Sequence, residues 1–307
     1  MTGNTAKLSA KTDPEVRKLQ SLLGNTATVM DHRTAQQPIL PPAIRAAVHQ
    51  WMTEIRAIED LKALNVEPRR SCLLSGPPGC GKTTLAHHLS ARLGVPLICI
   101  HMDRLRSQYV GQTGQQIAKM FEGIAHLEAN ALLFFDEFDS LAAKRKDDGQ
   151  SASEERNSIV NALLARLESF EGNMIAATNR AAALDPAIWR RFGLQLDIPL
   201  PGIEERFAII KYYLDPLDWD DDAIDFLTAA TDGAAPSLLR QMIEGIKRDI
   251  VLAGRMNMEG DIVTTFTRVI SGIAPHPDYT PPILWEDKSV IKEMKSLPWP
   301  PKTKGDA

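Results

Sequence analysis

Cysteine is scarce in this sequence. Cys72, Cys80 and Cys99 are the only three in 307 residues. So small and odd a set, without metal-type spacing, excludes a disulfide framework and a thiolate zinc site. No apolar run approaches the roughly 18 residues a membrane helix needs, so no membrane span is expected. The opening stretch MTGNTAKLSAKTDPEVRK is polar and has no apolar signal core. A reducing, cytoplasmic setting follows from these absences. There is no excess of basic charge either: the net charge is -4, so no overall field attracts nucleic acid. No internal repeat is visible. What remains is 44% hydrophobic and 24% charged residues, the balance of a globular protein of one to two domains.

Residues 1–37 are rich in Thr, Lys and Gln and read as a flexible N-terminal extension with one short helix, Pro14 to Leu23. From Pro41 to Leu64 the apolar spacing (Ile44, Val48, Trp51, Ile55, Ile58, Leu61) is helical. Short apolar runs follow at 72–75, 97–100, 131–135, 174–177 and 194–198, bounded by turn residues. Such runs are the mark of parallel strands buried on both faces. Helical patterns fill the gaps at 83–93, 115–129 and 154–169. The expected fold is α/β: an αβα sandwich around a five-stranded parallel sheet, covering residues 38–201. Four helical patterns at 203–214, 221–230, 236–254 and 260–272 then predict a small helical lid domain, 202–273. Residues 274–307, with APHPDYTPP and SLPWPP, show no clear core pattern and read as a Pro- and Trp-containing tail.

The strongest motif is GPPGCGKTT: Gly76, Pro77, Pro78, Gly79, Cys80, Gly81, Lys82, Thr83 and Thr84. It fits the phosphate-loop pattern between a strand and a helix. Glycines let successive N–H groups turn inward, and those donors with the following helix N-terminus hold phosphate oxygens. Lys82 sets a charge against the β- and γ-phosphates, and the Thr83 hydroxyl is a ligand for Mg²⁺. LLFFDEFDS places Asp136 and Glu137 at the C-terminal end of an apolar strand, where open α/β sheets build their sites. Asp136 is positioned for the Mg²⁺ shell, Glu137 for polarising the attacking water. Asp139 reads as the N-cap of a helix beginning at Ser140. MIAATNR ends the next strand with Thr178 and Asn179, and the Asn179 amide suits the γ-phosphate and its water. LDPAIWRRFG offers Arg190 and Arg191 as arginine fingers acting on a neighbouring subunit.

With these residues in place, the chain resembles the AAA family of ATPases, of the AAA+ superfamily, over about residues 40–272. GPPGCGKTT looks like Walker A, LLFFDEFDS like Walker B, ATNR like sensor 1, and LDPAIWRRFG like the arginine-finger segment. The resemblance implies ATP and ADP as ligands, Mg²⁺ as cofactor and a ring, usually a hexamer, with ATP between subunits. It also implies a role for SQYVGQTGQQ: Tyr109-Val110-Gly111 matches the aromatic-hydrophobic-Gly pore loop that grips an extended polypeptide. An aromatic ring offers large contact area at little rotamer cost, which suits a grip indifferent to sequence. Some features depart from the pattern. RRFG replaces a longer arginine-rich segment, leaving open which of Arg190 and Arg191 is the finger. Arg240, in GAAPSLLRQ, resembles a sensor 2 arginine that many members of the narrower clade lack.

The leading expectation is an ATP-driven remodeller that threads, unfolds or extracts polypeptides, with any protease or adaptor supplied by other chains. A nucleic-acid AAA+ protein of helicase-loader type is the alternative; it needs basic channel residues, and the acidic charge and aromatic loop argue against it. A third reading is an ATP-gated scaffold docking a partner through SLPWPP. The basic stretch AAKRKDD at 142–148 reads as a solvated loop or a second pore loop.

Overall fold

The computed structural model describes residues 14–23, 27–102, 131–142, 150–256 and 260–304, and six positions between 115 and 124. Two bodies emerge. The first holds residues 46–76 and 82–198 with the N-terminal 38; the second holds 39–45, 77–81 and 199–307.

The first body is built on six strands: β1 Ala27–Met30, β2 Ser71–Ser75, β3 Leu97–Ile100, β4 Leu132–Phe135, β5 Asn173–Thr178 and β6 Leu194–Asp197. Their order is β1-β3-β4-β5-β2-β6. β2 through β6 are parallel, while β1 pairs antiparallel with β3, Ala27 opposite Ile100 and Met30 opposite Leu97. The expected five-stranded sheet therefore gains a sixth strand from within the supposed flexible extension. The reason is local. Helix α1, Pro14–Leu23, is fastened to β1 by one side chain: the Gln20 amide donates to Ala27 O at 2.9 Å and accepts from Val29 N at 2.8 Å. Val16, Leu19 and Val29 bury together behind it. The chain then turns through Asp31, whose carboxylate the Arg33 guanidinium holds down at a pKa of about 2.

Strand β4 is buried along its whole length. That is why LLFF is a continuous apolar run: helices cover both faces of the sheet, so alternation would put polar groups into the core. Helix α2, Pro42–Arg56, buries Trp51, whose indole N–H donates to Arg69 O at 2.7 Å just ahead of β2. Helix α3, Lys82–Leu93, leads from the glycine-rich loop, and α4, Gln150–Ser169, precedes β5.

The second body is helical: α5 Ile203–Leu214, α6 Asp221–Ala230, α7 Pro236–Met256 and α8 Ile262–Ser271. Asp220 and Asp261 cap the starts of α6 and α8 by accepting from Ala223 N and Thr264 N. The residues expected to form a free tail are part of this core. Leu284, Ile291 and Met294, on and just after the short helices at 283–286 and 288–293, are buried among Leu239, Ile243 and Phe266. Trp219 lies between Phe266 and Trp299, with ring centroids 6.2 and 5.8 Å away. The Trp219 indole N–H donates to Pro298 O at 2.7 Å, and that of Trp285 to Ile273 O at 2.9 Å. SLPWPP therefore folds back onto its own domain instead of standing out as a docking peptide. Ile291→Ala is expected to cost about 2–4 kcal/mol in urea-induced unfolding; a freely dangling tail would show no change.

Candidate nucleotide-binding and catalytic site

The glycine-rich loop leaves β2 in a conformation that side chains resist. Gly76, Gly79 and Gly81 have φ of 140°, 79° and 85°. A Cβ on Gly76 would stand 2.2 Å from the carbonyl oxygen of Ile198, whose own N–H donates to Ser75 O. A Cβ on Gly79 would stand 2.0 Å from Ser237 Oγ, in the first turn of α7, while the Ser237 N–H donates to Gly79 O at 3.2 Å. The loop is thus a bare backbone cradle. Lys82 begins α3 and is buried, with Nζ donating to Gly76 O at 2.7 Å. A buried ammonium beside a ring of turned backbone is fitted to phosphate oxygens.

The next helical residue, Thr83, donates from Oγ1 to Asp136 Oδ2 at 2.9 Å. Two hard oxygen ligands thus meet at the end of β4. Among the described residues no group of three or more His, Cys, Asp or Glu could hold a metal alone. The pair fits a Mg²⁺ ion that keeps water and takes phosphate oxygens for its remaining sites.

The turn after β4 explains Glu137. Phe138 is fully buried, its N–H donates to Ala177 O at 2.9 Å, and its ring packs edge-on to Phe135 and Phe192. With Phe138 anchored inward, Glu137 is left exposed at φ 50°. That left-handed backbone costs of order 1–3 kcal/mol for a non-glycine residue and persists because its surroundings over-determine it. The Glu137 N–H donates to Asp136 Oδ1, and the Ser140 N–H to Glu137 O. The turn displays one carboxylate outward beside another that faces Thr83.

Asp139 is not the cap of a helix starting at Ser140. It is the first residue of the helix, and its Oδ1 accepts the Thr178 hydroxyl at 2.7 Å across the β4–β5 boundary. The same Thr178 oxygen accepts from Arg180 N, which fixes the turn carrying exposed Asn179. Both Arg190 and Arg191 are exposed, on the turn anchored by Phe192. Arg191 forms an ion pair with Glu168 of α4; among the described residues Arg190 forms none. Arg240 is engaged locally, with Nε 2.7 Å from Glu244 and its guanidinium over the Tyr213 ring. The cavity beside Gly79 is lined instead by Ser237 and Gln241 of the same helix, which no motif marks. Their signal was only the Pro-Ser at a helix start. Tyr109, Val110 and Gly111 lie outside the described residues, as does 143–148 of the basic stretch. Burial raises the thiols of Cys72 and Cys99 to pKa values of about 12, which leaves both inert as nucleophiles.

A mostly parallel six-stranded sheet with a glycine-rich loop after β2 and carboxylates at the end of β4 is an α/β P-loop ATPase fold. Residues 72–200 match the model of the "ATPase family associated with various cellular activities (AAA)", so that segment is similar to the AAA+ ATPases. It is 40% identical over 171 residues to "Uncharacterized AAA family ATPase y4kL" of Sinorhizobium fredii, covering 54% of this chain and 51% of that one. It is 33% identical over 188 residues to a proteasome-activating nucleotidase of Thermococcus onnurineus, covering 59% and 47%. Another nucleotidase so described, from Sulfurisphaera tokodaii, is 28% identical over 260 residues, covering 79% and 66%. The chain spans about half the length of the first two relatives. No helix among the described residues is long and apolar enough to cross a membrane.

Proposed function

We propose that the chain is a Mg²⁺-dependent ATPase whose turnover drives remodelling of polypeptides in a ring of identical subunits. The observation that carries the catalytic reading is the 2.9 Å meeting of Thr83 and Asp136 next to the buried Lys82. Lys82 exchanges its Gly76 carbonyl for β- and γ-phosphate oxygens. Thr83 Oγ1 and Asp136 would hold Mg²⁺, which would supply neutralisation of the phosphate charge. Glu137 accepts the proton of the attacking water, and Asn179, one strand over, orients that water. Because Arg191 is tied to Glu168 in its own chain, Arg190 is the side chain assigned to a neighbour's γ-phosphate. That role requires an oligomer, and a hexamer is the family's usual ring.

The remodelling half rests on Tyr109-Val110-Gly111 and on relatives named as proteasome-activating nucleotidases. A proteasome or an adaptor would come from other chains. The test is a trap: Glu137→Gln protein carrying a photocrosslinker at position 109, held with ATP. A covalently captured polypeptide is the expected outcome, and Tyr109→Ala should lose most of its substrate unfolding per ATP hydrolysed. Capture of nuclease-sensitive nucleic acid in place of polypeptide would overturn the reading.

A further inference from the structure

Where β2, β4 and β5 begin, at the opposite end of the sheet from the Gly76 loop, a cavity of about 430 Å³ opens among residues of the first body alone. Its volume is that of an ordinary small-ligand site. Arg70 precedes β2, Ala131 precedes β4 and Asn173 opens β5, while Ile55, Ile58 and Leu93 supply an apolar wall. Two guanidiniums line the cavity, each steadied by a backbone carbonyl. Arg56 Nη2 donates to Arg92 O at 2.8 Å, and Arg70 Nη1 donates to Glu171 O. Among the described residues neither arginine forms an ion pair. Glu171 is the one carboxylate among the described lining residues, so the lining carries a single net positive charge. The Asn173 side chain adds an unmet demand: its Oδ1 is buried and has no hydrogen-bond partner. A buried acceptor left so is costly, and turning that amide toward a ligand N–H breaks no bond of the oxygen.

We propose that this cavity binds the carboxylate end of an N-acylated apolar amino acid, free or as the last residue of a peptide. The carboxylate meets Arg56 and Arg70, whose planar forks match its two oxygens. The amide N–H of the ligand meets Asn173 once that side chain turns toward it. The aliphatic side chain lies against Ile55, Ile58 and Leu93. A phosphate ester or a nucleotide suits the cavity less, because it brings two or more negative charges against one net positive charge, beside the Glu171 carboxylate. A fatty acid would leave the Asn173 oxygen unpaired. None of these residues belongs to the phosphate loop or to the Asp136 turn, so nucleotide binding is a separate property of the chain.

The test is a ligand-observed NMR titration of the full chain with three probes: N-acetyl-leucine, its carboxamide, and a short neutral peptide ending in Leu with a free carboxylate. N-acetyl-leucine is expected to bind, and the carboxamide to bind about tenfold more weakly or not at all. Arg56→Gln and Arg70→Gln should each lower the affinity about tenfold or more, since each removes a charge-assisted bond. Asn173→Ala should lower it about threefold, the usual worth of a neutral hydrogen bond. All three variants should bind ATP as the wild type does. Should Arg70→Gln fail to fold, the exposed Arg56 still provides the test. Tighter binding of the peptide assigns the site to chain termini; equal or weaker binding assigns it to the free N-acyl amino acid. No binding of either acid, equal binding of acid and carboxamide, or wild-type affinity in both arginine variants overturns the proposal, and ATP binding measured on the same protein keeps that outcome distinct from failure of the ATPase reading.

Discussion

Glu137→Gln is expected to bind ATP as the wild type does and to hydrolyse it about 10²–10⁴-fold more slowly, the usual contribution of a placed general base. The substitution is nearly isosteric and falls on an exposed side chain. Fold stability should therefore be unchanged. The turn is held by backbone groups and by Phe138, neither of which the amide disturbs. Lys82, Thr83 and Asp136 are untouched, which keeps the phosphate and cation contacts. What is lost is proton acceptance, since a carboxamide has no comparable basicity. Phosphate release measured beside a direct binding titration separates the two effects. A turnover within threefold of wild type would remove Glu137 from the mechanism.

Lys82→Ala should have the opposite signature: binding lost first. A charge-assisted bond from a buried ammonium to phosphate contributes about 2–3 kcal/mol, so ATP affinity should fall about 30- to 150-fold. The thermal shift provides a second readout. Ligand at a hundred times its Kd stabilises a protein by about 2.7 kcal/mol; wild-type protein in millimolar ATP should melt higher than without it, and the variant should show almost none of that rise. An undiminished shift in Lys82→Ala would mean that nucleotide binds elsewhere.

The strands most legible in the sequence were those buried on both faces. LICI and LLFF are continuous apolar runs because helices cover them on either side. The phosphate loop was equally plain, because its positive φ angles leave few residues but glycine. β1 was not legible. ATVM is four residues at a sheet edge, with Thr28 exposed, and its evidence lies in the distant β3 and in the Gln20 side chain, neither of which periodicity detects. The tail was misread for a related reason. Its prolines and tryptophans interrupt helical spacing, yet Trp219, Phe266 and Trp299 form one cluster from residues far apart in sequence. Within the site, Asp136 and Thr83 were foreseeable from motif position, whereas Ser237 touches Gly79 only through the folded chain.

The β1–β3 pairing also bears on how this chain is made. Thr28 and His101, joined by a 2.7 Å contact, are 73 residues apart. At about 5–20 residues per second the ribosome takes about 4–15 s to deliver β3 after β1 has emerged. During that interval Val16, Leu19 and Val29 can pack on one another and on Leu23. Once β3 arrives, β1 occupies the edge on which a second nascent chain could otherwise add a strand. β1 thus covers one side of β3 before β4, β5 and β6 have been made.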